Sequence, residues 1–172
     1  MSSIINQLGL NTRVPYHFLY YSLSFGGIAF YSYVASPIMN KKLTKEEYGK
    51  VQSSVFPCYF GFQTVSPILL AAITPFKFCP FKAALLAIAS IAGCLNLFLF
   101  KPKCHAFKEG EDNLEATGKD KKVDSTPTEE MQALSKCFSR CHLLSSIVNG
   151  LSIISLAVYG LTIARGLSKI KY

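Results

Sequence analysis

Four long stretches of the chain contain no Lys, Arg, Asp or Glu, and they constrain the fold more than any other feature. They cover residues 14–40, 51–76, 83–100 and 141–164, which are 27, 26, 18 and 24 residues long. An α-helix needs about 20 apolar residues to cross a hydrocarbon core of about 30 Å. The sequence therefore predicts an all-α, integral membrane four-helix bundle with spans at about 15–38, 51–75, 83–100 and 141–164.

Charge is confined to the segments between these runs. All 18 Lys and Arg residues and all 10 Asp and Glu residues lie outside them, so hydrophobicity is partitioned and not spread through a soluble core. Lys and Arg flank membrane spans because they sit at the lipid headgroups, which explains the net charge of +8. No basic patch is interleaved with stacking aromatics, so we expect no nucleic-acid partner. We expect one domain, residues 1–172.

The six cysteines do not resemble a disulfide framework, because they lie in spans or close to the membrane and not in pairs in watery loops. A reduced, cytosol-facing third loop fits them better. The first 13 residues lack a basic segment followed by a short apolar core and a cleavage site, so we interpret the first run as a retained anchor.

Helix boundaries can be predicted around the second and third runs. Thr44 and Glu47 have capping-box spacing, so a second helix should begin near Lys45. Pro57 and Pro67 each remove a backbone hydrogen bond, which predicts a kinked or locally opened helix. The third run of 18 residues is about 27 Å long as a helix, barely enough to cross.

The third loop, residues 101–140, holds 16 of the 28 charges. Its segment 105–126 is rich in charge and glycine, so we predict a disordered charged loop between helices three and four and expect it to recruit protein partners. Order should return with Thr126 as the helix cap and Pro127 as the first helical residue. Phosphorylation is predicted at Ser125 or Thr126, because a helix N-terminus favours phosphate.

The charge bias gives a weak indication of orientation. The loops after spans one and three hold 12 Lys and Arg residues, against six in the termini and the second loop. The positive-inside rule then places loops one and three in the cytosol. Because the third loop is long and contains eight acids, the bias per residue is small.

Polar residues inside the spans are candidates for function because they are costly there unless paired. One face of the fourth span carries several of them, at offsets of three, four and seven residues from His142. We define the candidate polar seam as Gln52, Ser53, Asn96, His142, Ser145 and Asn149. It either holds the helices together by interhelical hydrogen bonds or lines a path for a substrate or a lipid headgroup. The first is favoured because no carboxylate or Lys lies within a span.

Catalytic and metal sites are not expected. Cys104 and His105 could join Cys137, Cys141 and His142 around Zn²⁺, but no Cys-x₂-Cys pair occurs, so we predict neither metal nor cofactor. The juxtamembrane cysteines are alternatively palmitoylation candidates. Nucleophile elbows, phosphate loops and paired catalytic carboxylates are absent from the sequence, which argues against an enzyme.

Three segments resemble the transmembrane protein 205 family. The segment YGKVQSSVFPCYF (48–60) resembles the start of that family's second span, and FSRCHLLSSIVN (138–149) resembles its fourth. Asn96 followed by Lys101-Pro102-Lys103 is similar to its third-span exit. The chain departs from the family in having no Trp, in Ile28 and Ala29 after Gly27, and in Leu143 where the family has Gly.

The resemblance implies a four-helix integral membrane protein of eukaryotic cells, and it marks Gln52, Ser53, Pro57, His142, Ser145 and Asn149 as shared positions. That family has no settled biochemical function. We therefore expect a non-enzymatic structural or interaction protein of the endoplasmic reticulum or another endomembrane, with the mitochondrial membrane as an alternative. The alternative function is a small transporter or lipid-handling protein. The lipid bilayer is an expected partner, and homo-oligomerisation stays open.

Overall fold

The computed structural model describes residues 2–77, 79–122 and 126–168. Within these ranges the chain is helical and contains no β-strand, which confirms the all-α prediction. The helices are α1 (Ser2–Gln7), α2 (Val14–Phe30), α3 (Ser36–Lys42), α4 (Lys45–Ala72), α5 (Pro80–Leu95), α6 (Lys101–Ala116) and α7 (Glu129–Leu167). Two π-helical segments, π1 (Tyr31–Ala35) and π2 (Asn96–Phe100), connect α2 to α3 and α5 to α6.

We call each continuous helical element, including any π-helical segment within it, a rod. Three rods are long and apolar enough to cross a membrane: Lys45–Ala72, Pro80–Ala116 and Glu129–Leu167. They suggest an integral membrane protein, as the uncharged runs predict. The rod formed by residues 14–42 is not among the three. It contains five tyrosines and four serines, so it is more polar than the others, and its crossing of the bilayer stays a prediction.

Both π segments come directly before a proline in the second position of the next helix, Pro37 in α3 and Pro102 in α6. In each segment the closing amide reaches back five residues: Ser36 N donates to Tyr31 O, and Lys101 N donates to Asn96 O. Proline cannot donate and its ring clashes with the carbonyl four residues earlier. The wider π turn relieves this conflict, so the first rod continues past Pro37 to Lys42.

The second rod begins where the sequence predicts. Thr44 Oγ1 accepts from Glu47 N at 3.3 Å, and Glu47 Oε2 accepts from Thr44 N at 2.9 Å, which is a complete capping box. The helix then continues as one element through Pro57 and Pro67 to Ala72. Both prolines are therefore accommodated without ending the helix.

Of the segment predicted to be disordered, residues 105–126, the part up to Ala116 is helical, because α6 extends that far, and residues 123–125 lie outside the described residues. Cys104, Phe107, Glu111 and Leu114 recur at intervals of three and four residues, and this spacing gives α6 one inward face. Glu111 and Leu114 are only 7% and 8% exposed. The packing of this face explains why a segment of disordered composition is helical.

The last rod begins two residues later than predicted. Thr128, and not Thr126, caps α7, because its hydroxyl accepts from Met131 N at 3.4 Å. The helix then continues without a break into the fourth uncharged run, as expected.

One apolar core joins α2, α4, α5 and α7. Its buried members are Ile28, Leu70, Leu86, Ala89, Ile153, Leu156, Tyr159 and Ile163. The outer surface is apolar too: Leu19, Phe98 and Leu161 are 63%, 71% and 70% exposed. In lipid, burying apolar side chains gives little advantage over leaving them outside, so close packing and hydrogen bonds must hold helices together.

Candidate functional site

A cluster of hydrogen bonds around Asn149 joins three rods. Asn149 Oδ1 accepts from Tyr59 Oη at 2.9 Å and from Gln63 Nε2 at 2.8 Å, both on α4. Its Nδ2 donates to Ser32 Oγ in π1 at 3.0 Å. The hydroxyls of Ser32 and Tyr59 lie 2.6 Å apart and close the ring of contacts. We call these four residues the Asn149 cluster.

A second cluster lies toward the α3–α4 connection and centres on Gln52, which is 6% exposed. Tyr31 Oη donates to Gln52 Oε1 at 2.9 Å, and Gln52 Nε2 donates to Ser36 Oγ at 3.1 Å. The Tyr48 hydroxyl lies 2.9 Å from Ser36 Oγ. This Gln52 cluster fixes α4 against the 14–42 rod.

The third contact joins the 80–116 rod to α7. Asn96 is 0% exposed and lies at the start of π2, where Asn96 Oδ1 accepts from Ser145 Oγ at 2.7 Å. Ser145 is four residues before Asn149, so both contacts lie on one face of α7. Together, the Asn149 cluster, the Gln52 cluster and the Asn96–Ser145 pair form an interhelical polar network across all four rods.

Small residues support the network by bringing backbones together. Ser152 Oγ donates to the Ala89 carbonyl at 3.1 Å, and Ser90 Oγ donates to the Thr64 carbonyl at 2.7 Å. Such contacts between side-chain hydroxyls and neighbouring backbones need closely packed helices. The arrangement can bind helices to each other, and its chemistry is that of neutral hydrogen-bonding groups.

The structure places four members of the candidate polar seam in the network: Gln52, Asn96, Ser145 and Asn149. The other two lie outside it. Ser53 is exposed, and its hydroxyl donates to the carbonyl of Lys50 at 2.8 Å. His142 is exposed and stacks on Phe138 of its own helix, with ring centroids 6.0 Å apart.

Sequence reasoning missed a buried histidine at the opposite end of the bundle. His17 is 1% exposed, and its Nε2 lies 3.0 Å from Tyr159 Oη. Its ring meets Phe76 edge to face at 6.0 Å, and Lys82 Nζ lies 4.7 Å from the Phe76 ring centroid. The signal was present, because a histidine inside an uncharged run satisfies the criterion that selected His142.

Three buried polar atoms have no hydrogen-bond partner within the described ranges: His17 Nδ1, Gln63 Oε1 and Asn96 Nδ2. Gln63 and Asn96 each bond to α7 through their other amide atom. An unpaired acceptor and an unpaired donor therefore both lie next to the Ser145–Asn149 turn. Buried groups of this kind are costly unless water or a ligand satisfies them.

The connection before α5 contains a thiol whose ionisation is perturbed by the fold. The backbone N–H groups of Lys82 and Phe81 at the start of α5 lower the pKa of the Cys79 thiol. A helix N-terminus stabilises a thiolate in this way.

The residues considered for Zn²⁺ and the predicted phosphorylation sites can also be placed. Across the described ranges, no group of three or more His, Cys, Asp or Glu residues is arranged to hold a metal ion. Only Cys104 and Cys141 of the cysteines considered for Zn²⁺ approach each other, with their sulfurs 2.7 Å apart. Ser125 lies outside the described residues. Thr126 lies before the α7 cap, and its carbonyl accepts from Lys122 N at 2.8 Å.

Comparisons with known proteins give a family. The model of a domain of unknown function, DUF4149, matches residues 19–113, more than half of the 172-residue chain. Xanthocillin biosynthesis cluster protein D of Aspergillus fumigatus is 29% identical over 165 residues, which cover 92% of this chain and 93% of that protein. No solved structure matches. The matched segment extends from α2 to α6, and on this ground the chain belongs to the DUF4149 family, whose function is not known.

Proposed function

We propose that this protein is a non-enzymatic, four-span endomembrane protein whose polar network holds the spans together as one unit. The single observation that carries this is the Asn149 side chain, which bonds to Ser32, Tyr59 and Gln63 on two other rods. A side-chain amide offers two donors and an acceptor with two lone pairs. Three of these four positions are occupied by protein, which leaves little of the amide for a substrate.

The 14–42 rod is proposed as the fourth span. Leu19, Leu23 and Phe30 are spaced so that they share one face, and they are 63%, 65% and 60% exposed. An apolar outer face is suited to lipid. On the inner side, the bond from Asn149 to Ser32 ties this rod to α7.

The narrower assignment to the transmembrane protein 205 family is also a proposal. It is supported by the three resembling segments, which contain Gln52, Asn96, Ser145 and Asn149, the four seam residues that take part in the network. If these residues serve in helix association, that would explain why the resemblance is concentrated there.

The hairpin of α6 and α7 is proposed as the cytosolic surface that meets protein partners. Its outer side carries exposed charges, including Lys108, whose Nζ lies 2.9 Å from Asp112 Oδ1. Inside the hairpin, α6 is held to α7 by Glu111, which accepts a hydrogen bond from the Ser135 hydroxyl. A charged, ordered hairpin offers a defined surface for binding, which a disordered loop would provide only after folding on a partner.

Substitution at Asn149 tests the structural role. We expect Asn149→Ala to lower the thermal unfolding temperature of the purified protein in micelles, because Tyr59, Gln63 and Ser32 each lose a partner. Ser146→Ala is the matched control, since the Ser146 hydroxyl bonds only to the carbonyl of His142 on its own helix. If Asn149→Ala preserved stability and membrane insertion yet abolished a specific solute flux, the structural proposal would be overturned.

A small transporter or lipid-handling protein is the second candidate. It is favoured by the unpaired buried atoms Gln63 Oε1 and Asn96 Nδ2, which could bind a polar group. The Aspergillus relative is named as a protein of a xanthocillin biosynthesis cluster, which would suit a small molecule as the substrate. Proteoliposomes tested with a fluorescent phospholipid and a set of small polar solutes decide between the two. Flux that Gln63→Leu abolishes without loss of stability supports transport, and no flux above empty vesicles counts against it.

A further inference from the structure

Cys104 and Cys141 form a close thiol pair between two helices. Their Sγ atoms lie 2.7 Å apart, about 0.7 Å more than the length of a disulfide bond. They are separated by 37 positions in the sequence, so the tertiary fold, and not the local chain, brings them together. Among the described residues, no other two cysteine sulfurs form a hydrogen bond with each other.

The packing around the pair holds it in register. Cys141 is 7% exposed, and its Sγ lies 3.6 Å from the carbonyl of Phe100, the last residue of π2. Farther along the hairpin, Glu111 bonds to Ser135, and a Cβ at Gly110 would lie 3.1 Å from the Leu134 side chain. These contacts fix α6 and α7 on both sides of the sulfurs, so a bond between them requires little movement.

We infer that Cys104 and Cys141 are a reversible dithiol–disulfide pair that clamps α6 onto α7. The oxidant is a low-molecular-weight disulfide. Cys104 is half-buried and Cys141 is buried, so Cys104 is the thiol that the oxidant reaches first. Burial and the neighbouring Cys141 thiol raise the pKa of Cys104 to about 12, so only a small fraction is thiolate at neutral pH and the exchange is slow. That thiolate fraction attacks the oxidant and expels one thiol. The Cys141 thiolate then attacks the Cys104 sulfur of the mixed disulfide and expels the second thiol. Two protein thiols are oxidised to one disulfide while the oxidant is reduced to two thiols.

The position of the clamp connects it to the polar network. Cys104 lies eight residues after Asn96, and Cys141 lies four residues before Ser145, so the sulfurs lie about one to two helical turns from the Asn96–Ser145 contact. Oxidation would fix the relative position of the 80–116 rod and α7 at this end of the bundle. Because the closed loop spans residues 105–140, the bond would also restrict the unfolded chain.

The test uses the full-length protein with Cys58, Cys79, Cys94 and Cys137 replaced by Ser, so that only the pair remains. After exposure to oxidised glutathione, the SDS-denatured protein should accept no maleimide, and its intact mass should fall by two hydrogens. Dithiothreitol should restore two maleimide additions. A matched variant that retains Cys104 and Cys137 should not lose two hydrogens, since Cys137 is exposed one turn away on α7.

Two results with the variant that retains only Cys104 and Cys141 would overturn the inference. One is a pair that accepts two maleimides after oxidation, and the other is a mass gain of one or two glutathiones, which would mean that the second thiol never reaches the first. Wild-type protein gives a reading that depends on no variant: peptide mapping after oxidation should recover a cross-linked peptide containing Cys104 and Cys141. Recovery of Cys104 joined to a different cysteine would also contradict it. The thermal unfolding temperature should rise on oxidation only where this cross-link forms.

Discussion

Gly93 packs against Thr64 so closely that a Cβ atom at position 93 would lie 2.8 Å from the Thr64 backbone nitrogen. The contact joins α5 to α4 at the point where Ser90 donates a hydrogen bond to the Thr64 carbonyl. Because the nearest atom is backbone, no side-chain rotation can make room. The absence of a side chain at Gly93 therefore sets the distance between these two rods.

Gly93→Ala should destabilise the protein by about 1–3 kcal/mol, the range for overpacking a close contact. The methyl group would force α5 away from α4 and lengthen the Ser90–Thr64 bond. Thermal unfolding in micelles measures the effect. Gly150→Ala is the control, because nothing lies within 4 Å of a Cβ at that position. There, a mid-helix Gly to Ala change should be neutral or stabilising by about 0.5–1 kcal/mol. Equal effects of the two substitutions would contradict the packing argument.

Ser145→Ala should lower stability by about 1–3 kcal/mol, since it leaves the buried Asn96 Oδ1 without its partner. Asn96 Nδ2 already has no partner among the described residues, so the buried amide would also lose the hydrogen bond that its Oδ1 accepts. Ser146→Ala, one position later and exposed, should stay within about 0.5 kcal/mol of wild type. Chemical or thermal unfolding of both variants in the same micelles makes the comparison. A Ser146→Ala effect as large as that of Ser145→Ala would remove the special role of the Asn96 contact.

Leu114→Ala should loosen the α6–α7 hairpin by about 2 kcal/mol, because Leu114 is 8% exposed and a large-to-small change leaves a cavity. Amide hydrogen exchange is the measurement, and faster exchange should be limited to residues 101–116 and the facing part of α7. Asn113→Ala, its exposed neighbour, should change little. If the amides of 105–116 exchange in wild type as fast as in an unfolded peptide, the segment is disordered, as its composition predicts.

Cys79 should react with iodoacetamide at lower pH in the folded protein than in the SDS-unfolded chain. The amides of Lys82 and Phe81 lower the pKa of this thiol in the fold, so the thiolate persists to lower pH. The resulting stabilisation is present above the pKa of the unfolded thiol and is lost as the pH falls through the folded one. A variant with Cys79 as its only cysteine gives the rate profile. The same midpoint in both states would show that the helix N-terminus has no effect on the thiol.

The positions of the rods could be predicted from the sequence because charge is excluded from lipid. The start of α4 could be predicted because Thr44 and Glu47 have the three-residue spacing of a capping box, which depends only on local backbone geometry. The α6 helix could not. Its inward face contains only two large apolar residues, Phe107 and Leu114, among many charges, so composition concealed the helical repeat. The π segments were also missed, since the need for them arises from the fit between neighbouring turns and a proline.

Four seam residues could be selected in advance because an amide or hydroxyl inside a span needs a partner. The partners themselves could not, since Tyr31, Tyr48 and Tyr59 count as aromatic residues until their hydroxyls are located. His142 shows that helical spacing alone does not identify which residue of a helix faces its neighbour. Its neighbour Cys141 occupies the position toward the 80–116 rod, and one residue corresponds to about 100° of rotation, which leaves His142 outside.

The two π segments have a consequence for how the length of this chain can vary. A π turn is equivalent to one extra residue inserted into an α-helix, so π1 and π2 each contain one residue beyond the α-helical count. Deleting one residue within π1, together with Pro37→Ala, should leave α2 and α3 facing their present neighbours. The same deletion within α2 would rotate the parts of the rod before and after it by about 100° relative to each other, so Ser32 and Tyr31 could not keep their bonds to Asn149 and Gln52 while the start of α2 keeps its packing. Natural length differences in this rod should therefore be found at residues 31–35.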